Sequence, residues 1–125
     1  MTHPGKKTVT RNDRGFSLIE LLIVMLVIGV LATIALASYP YMREKAGDAA
    51  AKSDLKNAAI FQEDYYGDNQ TYADQTALDA AFAESENVTV SVGSADMGGY
   101  EMSATHAAST STFCLSSANG AVVAC

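Results

Sequence analysis

The sequence has few of the side chains that carry out chemistry. It contains two histidines, His3 and His106, two cysteines, Cys114 and Cys125, and no tryptophan. Neither histidine has a partner at catalytic spacing, and a two-cysteine metal site would lack a further ligand nearby. The acids between positions 63 and 74 lack the spacing and the glycine of a calcium loop. We therefore predict that the chain is not an enzyme and has no metal site and no cofactor.

Charge is missing from one long stretch near the N-terminus. From Leu21 to Met42 the sequence has no charged residue, and Glu20 is the acid at the start of this apolar segment. A helix over the stretch spans about 33 Å, enough to cross a hydrocarbon core of about 30 Å. A carboxylate costs roughly 2.5–3.5 kcal/mol at the bilayer centre and less near an interface. We therefore expect Glu20 to have a function, because a partner cation on a packed neighbour would offset its desolvation.

The basic residues are concentrated before this segment. Four of the eight lysines and arginines, but one of the 14 acids, lie in residues 1–15; the four are Lys6, Lys7, Arg11 and Arg14. By the positive-inside rule, the N-terminus stays in the cytoplasm and the chain after Met42 lies outside. Residues 16–125 keep four cations against 13 anions, a formal charge of −9. Such a surface repels phosphates, so we predict no direct binding of nucleic acid.

The run Gly15-Phe16-Ser17-Leu18-Ile19-Glu20, after a short basic stretch and before an apolar helix, resembles the N-terminus of type IV prepilins. The matching stretch covers roughly Arg14 to Leu36. The resemblance implies cleavage between Gly15 and Phe16 by the prepilin peptidase, and N-methylation of Phe16. It also implies that Glu20 pairs with the Phe16 amino group of a neighbouring subunit. Many family members have proline where this chain has Ala37, whereas the helix proline here is Pro40.

Three alternatives follow from the same residues. Ala35-Leu36-Ala37 has the small-x-small form of a signal-peptidase site, which would make Ser38 the first residue. The apolar segment is longer than the 7–15 residues of such signals and contains Glu20, so we rank this second. A pseudopilin of a type II secretion system would have the same N-terminus. A monomeric membrane-anchored periplasmic binding domain would not need Glu20.

The first part of the outer region is predicted to be helical. Good helix formers run from Tyr41 to Tyr66, so we expect one helix from Phe16 to about Tyr66, ended by Gly67-Asp68-Asn69. Its buried stripe is predicted to contain Leu55, Ala58, Ala59, Gln62 and Tyr66, with Phe61 and Tyr65 beside it. A loop from Asp68 to Asp74 and a short helix around Gln75–Ala83, held by Leu78 and Phe82, follow. His106 is predicted to lie solvated in a polar loop.

The C-terminal part is predicted to form strands. Val88, Val90 and Val92 alternate with polar residues or glycine, Tyr100 to Ala104 forms a second strand, and Thr112 to Leu115 a third. Asn119-Gly120 predicts a hairpin that returns through Ala121–Ala124 to Cys125. This hairpin brings Cys114 and Cys125 together, and an oxidising compartment favours their disulfide. The loop it closes contributes about 3 kcal/mol in the chain-entropy model.

The sequence thus predicts an α+β fold, with a long N-terminal helix packed on a small antiparallel sheet of three or four strands, as in pilins. The predicted organisation is a leader at 1–15, a transmembrane and filament-core helix at 16–42, and an outer head at 43–125. The resemblance implies a structural subunit of a type IV pilus, a helical homo-oligomer used in adhesion, twitching motility or DNA uptake. Its partners would be the prepilin peptidase/methyltransferase and the inner-membrane assembly machinery. The subunit would be single-pass in the inner membrane before assembly and then extracellular.

Overall fold

The computed structural model describes residues 2–7 and 14–125. Residues 1 and 8–13 of the predicted leader, including Arg11, lie outside the described residues. The elements follow the order helix, short helix, four strands: α1 Leu18–Asn69, α2 Gln75–Ala81, β1 Val88–Ala95, β2 Tyr100–His106, β3 Thr112–Ser116 and β4 Val123–Ala124. The predicted α+β class, with a long N-terminal helix and a small antiparallel sheet, is confirmed.

The chain divides into two compact units, Met1–Ala37 and Ser38–Cys125. In the first unit, the described residues from Arg14 onward are all exposed, although most of the helical ones are large and apolar. Leu22 and Leu31, for example, are 62% and 61% exposed. Helix α1 is long and apolar enough, by length and composition, to cross a membrane.

The second unit has one core between a face of α1 and a face of the sheet. On the helix, Ala51, Leu55, Ala58 and Gln62 recur at spacings of four and three, which places them on one side, and all four are fully buried. The sheet supplies the alternate residues of three strands, as its period of two requires: Val88, Val90, Tyr100, Met102, Ala104, Phe113 and Leu115. Leu78 of α2 is also buried, as predicted, and Phe82 packs against Phe61 with ring centroids 6.4 Å apart.

The four strands are antiparallel neighbours in chain order, β1-β2-β3-β4. Val90 pairs with Ala104, which in turn pairs with Phe113, so that side chains of one face stay in register across the sheet. The β1–β2 register shifts between Val92 and Ser94, where Gly93 lies. Strand β4 is only two residues long; it pairs with β3 and forms one edge of the sheet.

Helix α1 continues beyond its predicted end near Tyr66 and includes Gly67. The reason is local. The Asn69 side-chain amide donates to the Tyr65 carbonyl at 3.0 Å, and the Gln70 amide donates to the Tyr66 carbonyl at 3.4 Å. Gln70 itself has a φ of 57°, the left-handed conformation that ends many helices. These side-chain bonds satisfy carbonyls near the end of the helix, where the last carbonyls lack intrahelical partners.

The prediction of a solvated His106 in a polar loop is wrong. His106 is the last residue of β2, and it is half-buried. Its ring lies against Gly47 of α1, where an added Cβ would come within 2.5 Å of Nδ1. The same nitrogen accepts the Ala108 N–H at 3.0 Å, which holds the turn after β2. Glycine at position 47 therefore permits the close approach of the helix and the end of β2.

Candidate functional site

The start of α1 is fixed by two reciprocal hydrogen bonds between Ser17 and Glu20. Residues 14–17 are not helical and Leu18 is the first helical residue, which makes Ser17 the N-cap. The Glu20 N–H donates to Ser17 Oγ at 3.3 Å, and the Ser17 N–H donates to Glu20 Oε2 at 2.8 Å. This arrangement is a capping box, which satisfies amide groups that an uncapped helix leaves without partners.

The capping box gives Glu20 a local partner, Ser17, that our sequence analysis did not identify. The signal was present, because Ser17-Leu18-Ile19-Glu20 has the S-x-x-E pattern that precedes an apolar run. The carboxylate also lies in the first helical turn, where the macrodipole favours a negative charge. One capping bond uses Oε2, and the Glu20 side chain remains exposed. Capping and contact with a group outside the chain are therefore compatible.

Gly15 and Phe16 lie in the non-helical segment ahead of this cap. Both are exposed, and the Phe16 side chain is 92% exposed. Among the described residues, nothing lies within 4 Å of the position that a Cβ on Gly15 would take. The packing of this chain therefore does not require glycine at position 15. The Gly15–Phe16 peptide bond is therefore accessible from outside the chain.

The apolar side chains of α1 after Glu20 form a continuous exposed surface. From Leu21 to Leu36 every residue is exposed, and the large apolar side chains among them are 48% to 73% exposed. Soluble monomers rarely expose contiguous apolar patches larger than a few hundred Å². This surface therefore requires lipid or other protein chains to cover it.

The two cysteines lie near the C-terminus, Cys114 on β3 and Cys125 directly after β4. The Sγ atoms of Cys114 and Cys125 are 1.92 Å apart, as in a disulfide, and their Cα atoms are 5.7 Å apart. Cys114 pairs with Val123 across the β3–β4 ladder, and the Cys125 N–H donates to the Thr112 carbonyl at 3.0 Å. The antiparallel pairing thus brings Cys114 of β3 together with Cys125, the residue after β4, and they form the disulfide that the sequence predicted.

The connection between these strands is longer than the two-residue turn that Asn119-Gly120 indicated. A type I′ turn needs a positive φ at both central residues, and of the two only Gly120 has one, at 62°. The N–H groups of Asn119 and Gly120 both donate to the Ser116 carbonyl, at 3.2 and 2.9 Å. Pairing with β3 resumes only at Val123.

Two polar side chains are buried in the second unit, and neither forms a reactive site. Asp54 accepts the Ser85 N–H at 2.6 Å and the Ser85 hydroxyl at 2.8 Å. Gln62 bonds both backbone groups of Ala73: its Nε2 donates to the carbonyl at 2.9 Å and its Oε1 accepts the N–H at 2.7 Å. Each side chain therefore fastens a loop to α1. Among the described residues, no group of three or more His, Cys, Asp or Glu could hold a metal ion.

Comparison with known proteins places these features in a family. The model of the prokaryotic N-terminal methylation motif matches residues 10–36, which include Gly15, Phe16 and Glu20. The type IV wide pilus major component PilA4 of Thermus thermophilus is 40% identical over 106 residues, covering 82% of this chain and 81% of that protein. The chain belongs to the type IV pilin family.

A second relative of this pilin matches over a shorter stretch. The type IV major pilin protein PilA of Myxococcus xanthus is 36% identical over 62 residues, which are 50% of this chain and 28% of that protein. The exposed apolar surface of α1 is the feature of this pilin that requires cover by lipid or other chains.

Proposed function

We propose that this pilin is a structural subunit of a type IV pilus, made as a prepilin and polymerised through its N-terminal helix. The observation that carries the proposal is the exposed apolar surface of α1, which begins directly after the capped Glu20. The relative with the longer match is named as a major component of a type IV wide pilus, and its alignment extends over most of both chains. Neither named relative is a pseudopilin, so the secretion-system alternative is not favoured.

Processing is part of this proposal. The prepilin peptidase cuts between Gly15 and Phe16, the new Phe16 amino group is methylated, and residues 1–15 are lost. The methylation-motif match and the exposure of this peptide segment support it. Residues 16–42 then anchor the subunit in the inner membrane before assembly and form the filament core afterwards. Residues 43–125 form the head on the surface of the filament.

Assembly is proposed to use the Glu20 carboxylate and the Phe16 amino group of a neighbouring subunit. A carboxylate placed among apolar helices is costly unless a cation partners it, and a free or methylated amine is such a cation. The pairing neutralises both groups as the helices leave the lipid. The subunit has a structural role in this proposal, and its partners are other copies, the peptidase/methyltransferase and the membrane assembly machinery.

The capping box makes a sharp test possible. Glu20→Gln keeps a side chain that can cap the helix but removes the charge, since either Glu or Gln serves at this position. Glu20→Ala removes both. We expect each variant to be inserted and cut before Phe16, as intact-mass analysis of membranes will show, and to yield few or no filaments. Filaments from Glu20→Gln at the normal yield, with none from Glu20→Ala, would show that capping and not charge pairing is what assembly needs. A mature chain beginning at Ser38 would refute the processing step.

A further inference from the structure

Charge is separated along the second unit of this pilin. The lysines and arginines that follow position 15 all lie in one stretch of α1, at Arg43, Lys45, Lys52 and Lys56. From Asn57 to Cys125 the sequence has no lysine or arginine and nine acids. A surface with cations at one end and acids elsewhere can attract another copy of itself, depending on where the charges face.

Three of the cations share one side of the helix. Lys45, Lys52 and Lys56 are spaced by seven and four residues, which places them within about 40° of arc on an α-helix. All three are exposed. The ammonium group of Lys52 lies 4.6 Å from the centre of the Phe113 ring, and that of Lys45 lies 5.1 Å from the centre of the Tyr41 ring. We call these three residues the lysine face.

Acids in the same stretch of helix are bound to groups of their own head. Asp48 accepts the Ser109 hydroxyl, and Glu44 accepts the Thr110 hydroxyl at 3.4 Å. Asp54 is buried and bound to Ser85. The fold therefore binds these three carboxylates to neutral donors. Asp48 also attracts Lys45 electrostatically, so Lys52 and Lys56 are the members of the lysine face best placed to attract negative charge from another molecule.

A complementary group lies at the far end of the same helix. Glu63, Asp64 and Asp68, which we call the acidic end, are exposed in the last two turns of α1. The last turn of α1 has no basic residue. Acids near a helix C-terminus oppose the macrodipole, and like charges four residues apart, as at Asp64 and Asp68, repel each other. Cations from another subunit would relieve both effects.

We propose that the lysine face of one subunit docks onto the acidic end of the next copy in the filament. This inference rests on the proposed function. Along the helix axis, Lys56 and Glu63 are about 10 Å apart, and Lys52 and Asp68 are about 24 Å apart. If the next subunit is displaced along this axis by a distance within that range, its acidic end lies level with the lysine face of the first subunit. A contact between two different patches is heterologous and repeats without closing, as a filament requires. A symmetric contact of the lysine face with itself would place like charges together.

Charge reversal in the full-length chain tests the docking. Lys52→Glu/Lys56→Glu and Asp64→Lys/Asp68→Lys are each expected to lower the yield of sheared filaments by about tenfold or more, because like charges then meet across the contact. The four substitutions combined are expected to restore the yield to within about threefold, as coupled sites do. The acid reversal also places cations at the helix C-terminus, which favours the folded subunit, so misfolding does not explain its loss.

A matched control for the acid reversal raises the net charge by the same amount at positions elsewhere. Glu86→Lys/Glu101→Lys replaces two exposed acids away from α1 and is expected to leave the filament yield unchanged. Docking is refuted if the variant with the lysine reversal or the variant with the acid reversal assembles normally. It is also refuted if the variant with all four substitutions assembles no better than either of these, while subunit levels and cleavage before Phe16 stay normal. An equal loss in the control would also refute it, since net charge alone would then explain the result. If the unaltered chain forms no filaments, the proposed function fails, and the docking fails with it.

Discussion

The two hydrogen bonds between Gln62 and Ala73 hold the loop before α2 against α1, and their contribution to the stability of the second unit can be measured. Gln62 and Ala73 are both fully buried, and the amide of Gln62 bonds the N–H and the carbonyl of Ala73 at 2.7 and 2.9 Å. Gln62→Leu keeps much of the side-chain volume but leaves both backbone groups without a partner. An unpaired buried donor or acceptor costs about 1–3 kcal/mol, so we expect a loss of about 2–6 kcal/mol.

This loss is large against a total stability of about 5–15 kcal/mol for a domain. Urea unfolding of a fragment covering Ser38–Cys125, followed by circular dichroism, is the assay. The midpoint should fall while the slope m stays the same, because the core surface exposed on unfolding is little changed. If the free energy of unfolding falls by less than about 0.5 kcal/mol, which is the usual range for a surface substitution, the reasoning is refuted.

A second substitution, Gln62→Glu, tests whether the side chain at position 62 must donate a hydrogen bond to the Ala73 carbonyl. The introduced carboxyl, when protonated, can donate to the Ala73 carbonyl and accept its N–H, as the glutamine does, whereas the ionised form can only accept. Burial of the charge and its approach to the carbonyl raise the pKa of this carboxyl in the folded state. The stability that it contributes is therefore present below about pH 4.3, the unfolded value, and is lost as the pH rises through the folded value. We expect the gap between Gln62→Glu and the parent to be wider at pH 7 than at pH 4, and a constant gap would refute the donor role.

Two further predictions concern the sheet. Cys125→Ser should lower the stability of the same fragment by about 3 kcal/mol, because Cys114 and Cys125 close a short loop. Cys114→Ser/Cys125→Ser should behave like the single variant, and ready thiol labelling of the unreduced parent would show that the bond is absent. Burial of Tyr100, with a smaller effect from the charges of Glu63 and Tyr72, raises the pKa of its phenol. The stability that this phenol contributes is fully present below pH 10 and is lost as the pH rises through its folded pKa. In urea unfolding at alkaline pH, Tyr100→Phe should therefore lose less stability with rising pH than the parent. Equal losses in the two proteins would rule this out.

The parts of the fold that sequence could predict are those set by local pattern. Alternation at Val88 and Val90 marks β1 because the period of a strand is two, and Leu78 and Phe82 mark α2 because four residues make about one turn. The apolar run after Glu20 marks the membrane-length helix in the same way. Each of these signals is contained within a few neighbouring residues.

What sequence analysis missed depends on contacts between distant residues or on exact conformation. His106 and Gly47 are far apart in the chain, and no local pattern indicates that they touch. Asp54 and Ser85 are 31 residues apart, and the residues around Asp54 in the sequence do not reveal its partner. Gln62 was placed in the buried stripe correctly, but the bond to Ala73 depends on the path of the loop. The capping box differs from these long-range contacts, because its residues are three apart in the sequence and their pattern could have been recognised.

The capping box at Ser17 and Glu20 also bears on the order of events during maturation. Starting a helix is the costly step of its formation, since several residues must be fixed for one hydrogen bond. Both residues that fix the start of α1 lie on the C-terminal side of the Gly15–Phe16 bond. In our proposal, cleavage there removes none of the groups that nucleate the helix. In that proposal the start of the helix is complete before cleavage, and the cut creates a single new charged amine one residue before the N-cap.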